Sequence, residues 1–334
     1  MDEINVAFLG AGRMGMTHLH NLAGIPGVRV RVVADVDRGA ARRGAAVVRA
    51  DRASDDVAAA IQADDVDAVL ISTPTATHAA LIEAAVQAGK PVWCEKPVAL
   101  TLAETRRVVD VVEGSGVPVM VGFMRRFDPG YAMAKRKIEA GEVGRIERFR
   151  ALSCDFPPPP LAFIATSGGI FVDMLVHDFD LARFLVGEIE EVSAWGSVLT
   201  DPGYAEAGDV DTAVVLLRFA NGALGVLESS RRTTWGYDVR TEIAGSRAKL
   251  VIEASQKTPL LISRDLAYQG DHYESFPDRF GAAYRAELEY FFACLRAGTP
   301  PTPGVQDALE SLRAALAATK SLREGRAVKV AEIQ

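Results

Sequence analysis

Residues 4–24 read INVAFLGAGRMGMTHLHNLAG. An apolar run with strand character ends in Gly10-x-Gly12-x-x-Gly15, and helical periodicity begins directly behind it. A lone GxGxxG arises by chance, but a strand before it and a helix after it give the spacing a mechanism. Gly10 allows the tight turn, Gly12 lets backbone N–H groups approach a pyrophosphate, and Gly15 lets helix and strand pack closely. Arg13 and Met14 sit between the last two glycines, at a helix N-terminus whose dipole favours an anion. A second strand, VRVRVVADVD (28–37), carries Asp35 twenty residues beyond Gly15. A carboxylate there accepts from both hydroxyls of a ribose and repels a 2′-phosphate, which selects NAD. Arg38, Arg42 and Arg43 lie close by in sequence and would support NADP, the less expected cofactor.

Working outward, VDAVLIST (66–73), KPVWCEK (90–96) and VPVMVGF (117–123) read as further strands. Helical stretches at 77–88 and 102–113 alternate with them, the second opening with Thr101 and Glu104 in capping-box spacing. Alternating strands and helices imply a parallel sheet wound on both faces, with ligands outside the carboxyl ends of its strands. The unusual residues cluster at that edge: the glycines, Asp35, STPTATH (72–78), EKP (95–97) and FMRR (123–126). Thr73, Pro74, His78, Glu95 and Lys96 are therefore cofactor-edge candidates. Lys96 is set between Glu95 and Pro97, whose ring fixes the backbone where the side chain is aimed. A lysine so placed can donate to a substrate hydroxyl and favour a developing alkoxide. His18 and His20, on the first helix, read as packing or surface groups.

The chain has 334 residues, which favours two domains, read here as 1–123 and 124–334. The C-terminal helix is a candidate to pack back on the first domain. A net charge of −7 argues against nucleic acid or an anionic membrane as partner. No apolar run reaches the length of a membrane span, and the acidic start lacks the basic region of a signal peptide. Cys94, Cys154 and Cys294 have neither disulfide-like nor metal-ligand spacing. The expectation is a reduced, cytoplasmic protein without a structural metal.

After Gly130 the pattern changes to strands in sequence: RIERFRALSCDF (145–156), then EVSAWGSVL, VDTAVVLLRFA, GALGVLESSRR, YDVRTEIAG, AKLVIEA and PLLISR. This predicts an α+β domain with one open, mainly antiparallel sheet. TAVVLLRF is apolar on both faces, so a second copy is the expected cover and a homo-oligomer follows. GGIFVDMLVHDFDLARFLVG (168–187) reads as one helix carrying charges inside an apolar run. Buried charges are costly unless paired or used. Asp173 and His177 are four apart and share a face. A carboxylate beside an imidazole orients it and raises its proton affinity, as a general base requires. Asp178 points elsewhere, solvated or bound to a neighbouring loop. The glycine pair permits close approach of another backbone, with the cofactor domain as one candidate.

GAGRMG, STPTATH, CEKP and the D-x-x-x-H pair together resemble the Gfo/Idh/MocA oxidoreductases over nearly the whole chain. VGFMRRFDPGY (121–131), GYD-R-E (236–242) and AYRAELEYF (283–291) resemble its inositol 2-dehydrogenases most. The resemblance implies an N-terminal Rossmann domain, a C-terminal domain with an open sheet, a tetramer packed through that sheet, and a cis Lys96-Pro97 bond. It implies Lys96, Asp173 and His177 as the catalytic set, the same three residues reached above. His177 would take a hydroxyl proton while hydride leaves the same carbon for NAD. Asp173 would orient His177 or relay its proton, and Lys96 would hold the reacting oxygen. Met124, Arg125, Asp155 and Tyr237 match substrate-pocket positions. Where inositol dehydrogenases often read SRDP, this chain has SCDFPPPP (153–160), so Ser153, Cys154 and Phe156 make part of the pocket less polar. The expected substrate is myo-inositol or a related cyclitol. A pyranose, anhydro sugar or amino-cyclitol is the alternative, then NAD-assisted glycoside cleavage, and last a cofactor-binding sensor.

Overall fold

The computed structural model describes residues 3–253 and 256–334; Met1, Asp2, Ala254 and Ser255 lie outside it. The chain divides into two compact units, Met1–Phe127 with Ala282–Glu310, and Asp128–Gly281 with Ser311–Gln334. Among the described residues no helix is long and apolar enough to cross a membrane.

The first unit holds six parallel strands: β1 (Ile4–Leu9), β2 (Val28–Ala34), β3 (Arg52–Ser54), β4 (Ala68–Ile71), β5 (Val92–Glu95) and β6 (Val119–Gly122). Their order is β3-β2-β1-β4-β5-β6, the doubly wound arrangement that reverses direction beside β1. The connecting helices are α1 (Arg13–Leu22), α2 (Arg38–Val48), α3 (Val57–Gln62), α4 (His78–Gln87) and α5 (Leu102–Ser115). Central strands β4 and β5 are buried throughout, as strands covered on both faces must be. The expected cap on α5 is present: the Glu104 N–H donates to Thr101 Oγ1, and that hydroxyl donates to the Glu104 carboxylate. Leu288, Phe291, Phe292 and Leu295, from near the far end of the chain, complete the core around Phe8, Trp93 and Met120. The segment that joins the first unit thus comes mainly from the penultimate helix. Most of the last helix belongs to the second unit.

The second unit is built on a seven-stranded sheet. Its strands are β7 (Ile146–Cys154), β8 (Ile189–Ser197), β9 (Thr212–Phe219), β10 (Leu224–Ser230), β11 (Asp238–Gly245) and β12 (Lys249–Ile252). A separate hairpin, β13 (Leu261–Arg264) and β14 (Ala267–Gly270), follows, and β15 (Val328–Lys329) returns to the sheet edge. The order is β12-β11-β7-β10-β9-β8-β15, antiparallel except where β7 meets β10. PLLISR therefore does not extend the open sheet as expected. It pairs only with β14, and every residue of both strands is exposed. Helices α6 (Pro129–Glu139), α7 (Leu161–Ile164), α8 (Ile170–Asp173), α9 (Val176–Leu185) and α10 (Gly203–Glu206) lie within this unit. The long helices α11 (Phe276–Ala297) and α12 (Val305–Glu324) follow, and the division between the units falls inside both.

Along β9, Ala213, Val215, Leu217 and Phe219 are buried, while Val214 and Leu216 are exposed. The strand is apolar on both faces, as read from its sequence.

The single helix expected over 168–187 is two. It breaks after Asp173 and resumes at Val176. Met174 and Leu175 keep right-handed backbone angles, so the apolar periodicity runs through the break and hides it.

Candidate functional site

The site is described as two sets of residues, one in each unit. In the first unit Gly10 has φ +91°, and a side chain there would collide with the Ser72 carbonyl. A Cβ on Gly15 would collide with the Gly10 carbonyl oxygen, while one on Gly12 meets only open space. Gly10 and Gly15 are therefore needed by the fold of the loop, and Gly12 keeps the cradle clear above it. Arg13 and Met14 open α1, whose first N–H groups face that cradle. Asp35 spans the turn: Ala11 N–H donates to Oδ2 at 2.7 Å and Asp37 N–H to Oδ1 at 2.8 Å. Each oxygen retains acceptor capacity for a ribose hydroxyl. Glycine cradle, helix N-terminus and half-buried acid fit NAD.

The next loop is tied to the Lys96 segment by one side chain. Thr73 and Thr77 share a hydroxyl bond of 2.7 Å, and Pro74 is exposed beside them. His78, buried, lies with Nδ1 2.8 Å from the Pro97 carbonyl and Nε2 2.8 Å from the Thr73 carbonyl. Both partners are acceptors, so the two bonds form together only on a protonated ring, and burial pushes the ring toward the neutral form. His78 thus serves as a strut rather than an exposed cofactor contact. The Lys96-Pro97 bond is cis, as the resemblance implied. Met124 and Arg125 are both buried and fall in the first unit rather than beyond the expected boundary.

His18 is a packing group, one of the two readings its place on the first helix allowed, and it has a polar partner that the sequence did not show. It is fully buried and donates from Nε2 to Glu95 Oε1 at 2.6 Å, while Glu95 Oε2 accepts from the Lys96 N–H at 3.0 Å. Burial works to raise the Glu95 carboxyl, but the His18 bond and charge, helped by Lys96 and His78, outweigh it and hold the group below its usual value. Behind this pair lies Glu287 on α11, one turn from Tyr284, whose ring meets His18 edge-on at 5.2 Å. Neither Glu287 oxygen has a hydrogen-bond partner, and burial together with the Glu95 charge pushes its carboxyl well above the ordinary range. Both influences favour the neutral acid at Glu287.

A stability prediction follows with a definite sign. The unfolded chain loses the Glu287 proton above the ordinary value of 4.5, while the folded chain keeps it. The native state then binds the extra proton, so stability falls as pH rises through that window toward the folded value. Glu287→Gln is expected to melt higher than the parent at about pH 8, with the gain shrinking at about pH 5. Thermal melts at the two pH values check it. A variant that melts lower at both would mean that the carboxyl is ionised in the fold.

In the second unit, Asp173 closes α8 and His177 lies in the first turn of α9, with Asp178 and Asp180 behind it. Their environments differ. Asp178 is not solvated: it is fully buried, and the Ser153 hydroxyl of β7 lies 2.8 and 2.9 Å from its two oxygens. Asp180 lies 3.4 Å from the Ser311 hydroxyl. Asp173 is gripped by an arginine that the sequence reading passed over: Arg231 Nη1 donates to Asp173 Oδ2 at 2.6 Å. Arg231 directly follows β10, is fully buried, and places Nη2 3.5 Å from Asp209 Oδ2. Asp209 in turn accepts the Ile170 N–H at 3.1 Å, and a Cβ on Gly169, at φ +87°, would lie 3.1 Å from the same oxygen. The glycine pair makes room for Asp209 within this unit.

Asp155 follows β7, with its N–H bonded to the Ser230 carbonyl and its own carbonyl accepting the Thr233 N–H. Its charge also falls on Arg231. Tyr237 is buried against the edges of Phe276 and Phe280. Cys154 is buried, and burial with the nearby Asp238 charge pushes its thiol up to about 12, so it is a neutral lining group.

Residues 4–123 match the oxidoreductase family with an NAD-binding Rossmann fold, and residues 131–251 match the GFO/IDH/MocA C-terminal domain. The myo-inositol 2-dehydrogenase of Thermotoga maritima is 39% identical over 332 residues, 99% of each chain. The scyllo-inositol 2-dehydrogenase (NAD(+)) of Bacillus subtilis is 38% identical, covering 98% of this chain and 96% of its own. A crystal structure of scyllo-inositol dehydrogenase from Lactobacillus casei, with bound NAD(H) and scyllo-inositol, has a TM-score of 0.91 at 29% identity, covering 98% of this chain and 99% of its own.

Proposed function

This chain belongs to the Gfo/Idh/MocA family of NAD-dependent oxidoreductases, and we propose that it oxidises a ring secondary alcohol to a ketone, myo-inositol or a related cyclitol to the 2-keto-inositol. The observation that carries the substrate is end-to-end similarity to relatives named as inositol 2-dehydrogenases. NAD, held by the Gly10–Gly15 cradle and Asp35, accepts hydride from the carbinol carbon when bound. His177 takes the hydroxyl proton as general base. Asp173 sets the orientation of His177. Lys96 donates to the reacting oxygen and stabilises its developing charge. Met124, Arg125, Asp155 and Tyr237 are proposed to shape the substrate pocket.

The test is reduced-nicotinamide absorbance with purified protein, myo-inositol and NAD or NADP in parallel. Rapid NADH formation supports the reading, and faster turnover with NADP would remove Asp35 as selector. A second reading, a pyranose, anhydro sugar or amino-cyclitol, is favoured by one observation: the Ser153 hydroxyl is engaged by Asp178, leaving Cys154 and exposed Phe156 in that stretch. A site with fewer polar groups rejects polyols less selectively. A substrate panel separates the two, and stoichiometric NADH excludes redox-neutral glycoside cleavage.

Assembly is proposed on separate grounds. The outer sheet face exposes Trp195, Val214, Leu216, Leu224 and Val251, with Trp195 and Val214 paired across β8 and β9. These apolar side chains alternate with exposed ion pairs such as Arg150–Glu228 and Arg218–Glu191, a mixed face that fits burial against another copy, here a homotetramer. A monomeric mass by light scattering would refute it.

A further inference from the structure

Asp173 has been given two roles that chemistry can separate: orienting the base, or carrying its proton onward. A relay must become neutral at some moment in each turnover. Its surroundings in the second unit decide whether that is affordable. The Arg231 side chain is 0% exposed, 2.6 Å from Asp173 and 3.5 Å from Asp209. The charged and titratable groups facing it are Asp173 from the end of α8, Asp209 from the turn after α10, Asp155 from the end of β7, and Tyr204 of α10. Burial works to lower the guanidinium, but the carboxylates, Asp173 foremost, outweigh it and keep it charged. Protonating Asp173 would strip this buried cation of its nearest counter-charge, and removing one partner of a buried pair is strongly unfavourable.

We propose that Arg231 is a positioning residue for the dehydrogenase reaction: it holds Asp173 as a carboxylate in one orientation, so that Asp173 steers His177 without itself carrying the proton. The backbone supports this geometry. The Arg231 N–H donates to the Asp211 carbonyl at 2.8 Å, which fixes where the side chain starts. Asp209 accepts the Ile170 N–H that opens α8 through Oδ1, while its Oδ2 lies 3.5 Å from the second guanidinium nitrogen, an ion-pair separation without a hydrogen bond. The arginine therefore sets the rotamer of Asp173, and its charge lies beside the carboxylate that holds the start of the short helix. Lysine, a point charge, cannot reach two carboxylates in this forked way. The proton taken by His177 leaves by a route that bypasses Asp173.

The inference rests on Asp173 and His177 being the acting pair, and its test separates the two claims. Arg231→Gln and Arg231→Lys are compared with the parent across pH for kcat and KM. Without the guanidinium, the freed Asp173 charge holds a proton on His177 more tightly, and Asp173 itself protonates at higher pH. Both effects move the acid limb of kcat/KM upward in Arg231→Gln, by about one pH unit or more. Arg231→Lys keeps the charge, so its limb stays near the parent's while kcat falls roughly tenfold from the lost fork. Loss of amplitude in both variants with no movement of the limb in the glutamine variant would reduce Arg231 to scaffolding and overturn the proposal. Should Arg231→Gln fail to fold, Arg231→Met takes its place with the same two outcomes for the limb, and parental kcat in the lysine variant overturns the proposal. A fully active His177→Ala enzyme would instead remove the catalytic reading on which the inference rests.

Discussion

Replacement of His177 by alanine is expected to lower kcat by roughly 10²–10⁴-fold, with NAD affinity unchanged. The reasoning starts from cost. His177 is 8% exposed, in the first turn of a helix whose apolar residues fill a core. A buried imidazole there is tolerated only if it is satisfied or used. Asp173 lies one turn earlier on a backbone that stays right-handed through Met174 and Leu175, so the two share a side of the chain. Asp173 is already committed to Arg231 at 2.6 Å, and a carboxylate so anchored offers a fixed charge to the ring. The residues proposed to hold NAD are the Gly10–Gly15 loop and Asp35, so truncating His177 removes the proposed base and leaves every proposed cofactor residue in place. Stopped-flow turnover and NAD titration by fluorescence check both halves. Turnover within about threefold of the parent would end the general-base assignment.

The cofactor half of this site is legible in sequence because its constraints are local. Gly15 is forced by a backbone collision inside one strand–turn–helix unit, Gly10 has a positive φ in that same turn and backs on the Ser72 carbonyl, and Asp35 directly follows the adjacent strand. The second half is less so, because its groups meet across the chain. Arg231 and Arg232 are neighbours with opposite fates, one buried and one exposed. Both lie just past the end of β10, where no strand period orders them, and only the fold reveals which one reaches Asp173. His18 left a readable trace in sharing the buried face of α1 with Gly15, Leu19 and Leu22. Its partner, Glu95, lies 77 residues away, so burial was foreseeable and the pairing was not. The break between α8 and α9 is invisible for a different reason: Met174 and Leu175 leave the regular helix yet keep right-handed backbone angles, so the periodicity is not disturbed. β3, three residues long, is too short to carry an alternation at all.

Replacement of Lys96 by methionine is expected to cost roughly 10²–10³ in kcat, the loss of one donor to the oxygen that becomes anionic in the proposed reaction. Methionine keeps the length and the apolar stem, so packing is a small part of the loss. The backbone at Lys96 is held from both sides: its N–H is bound by Glu95 Oε2 at 3.0 Å, and the following Pro97 carbonyl lies 2.8 Å from His78 Nδ1. Glu95 is itself held by His18. Two buried histidines from two different helices thus fix a single side chain's point of departure, a cost in buried polar groups that a solvated surface lysine would not require. Such a donor matters in the transition state more than in the bound substrate, so kcat falls while the KM for substrate changes little. Arginine should not rescue, since its planar fork extends past the position of the ammonium. A methionine variant whose loss lies in substrate KM alone would make Lys96 a binding group; one with parental kcat and KM would return it to the surface.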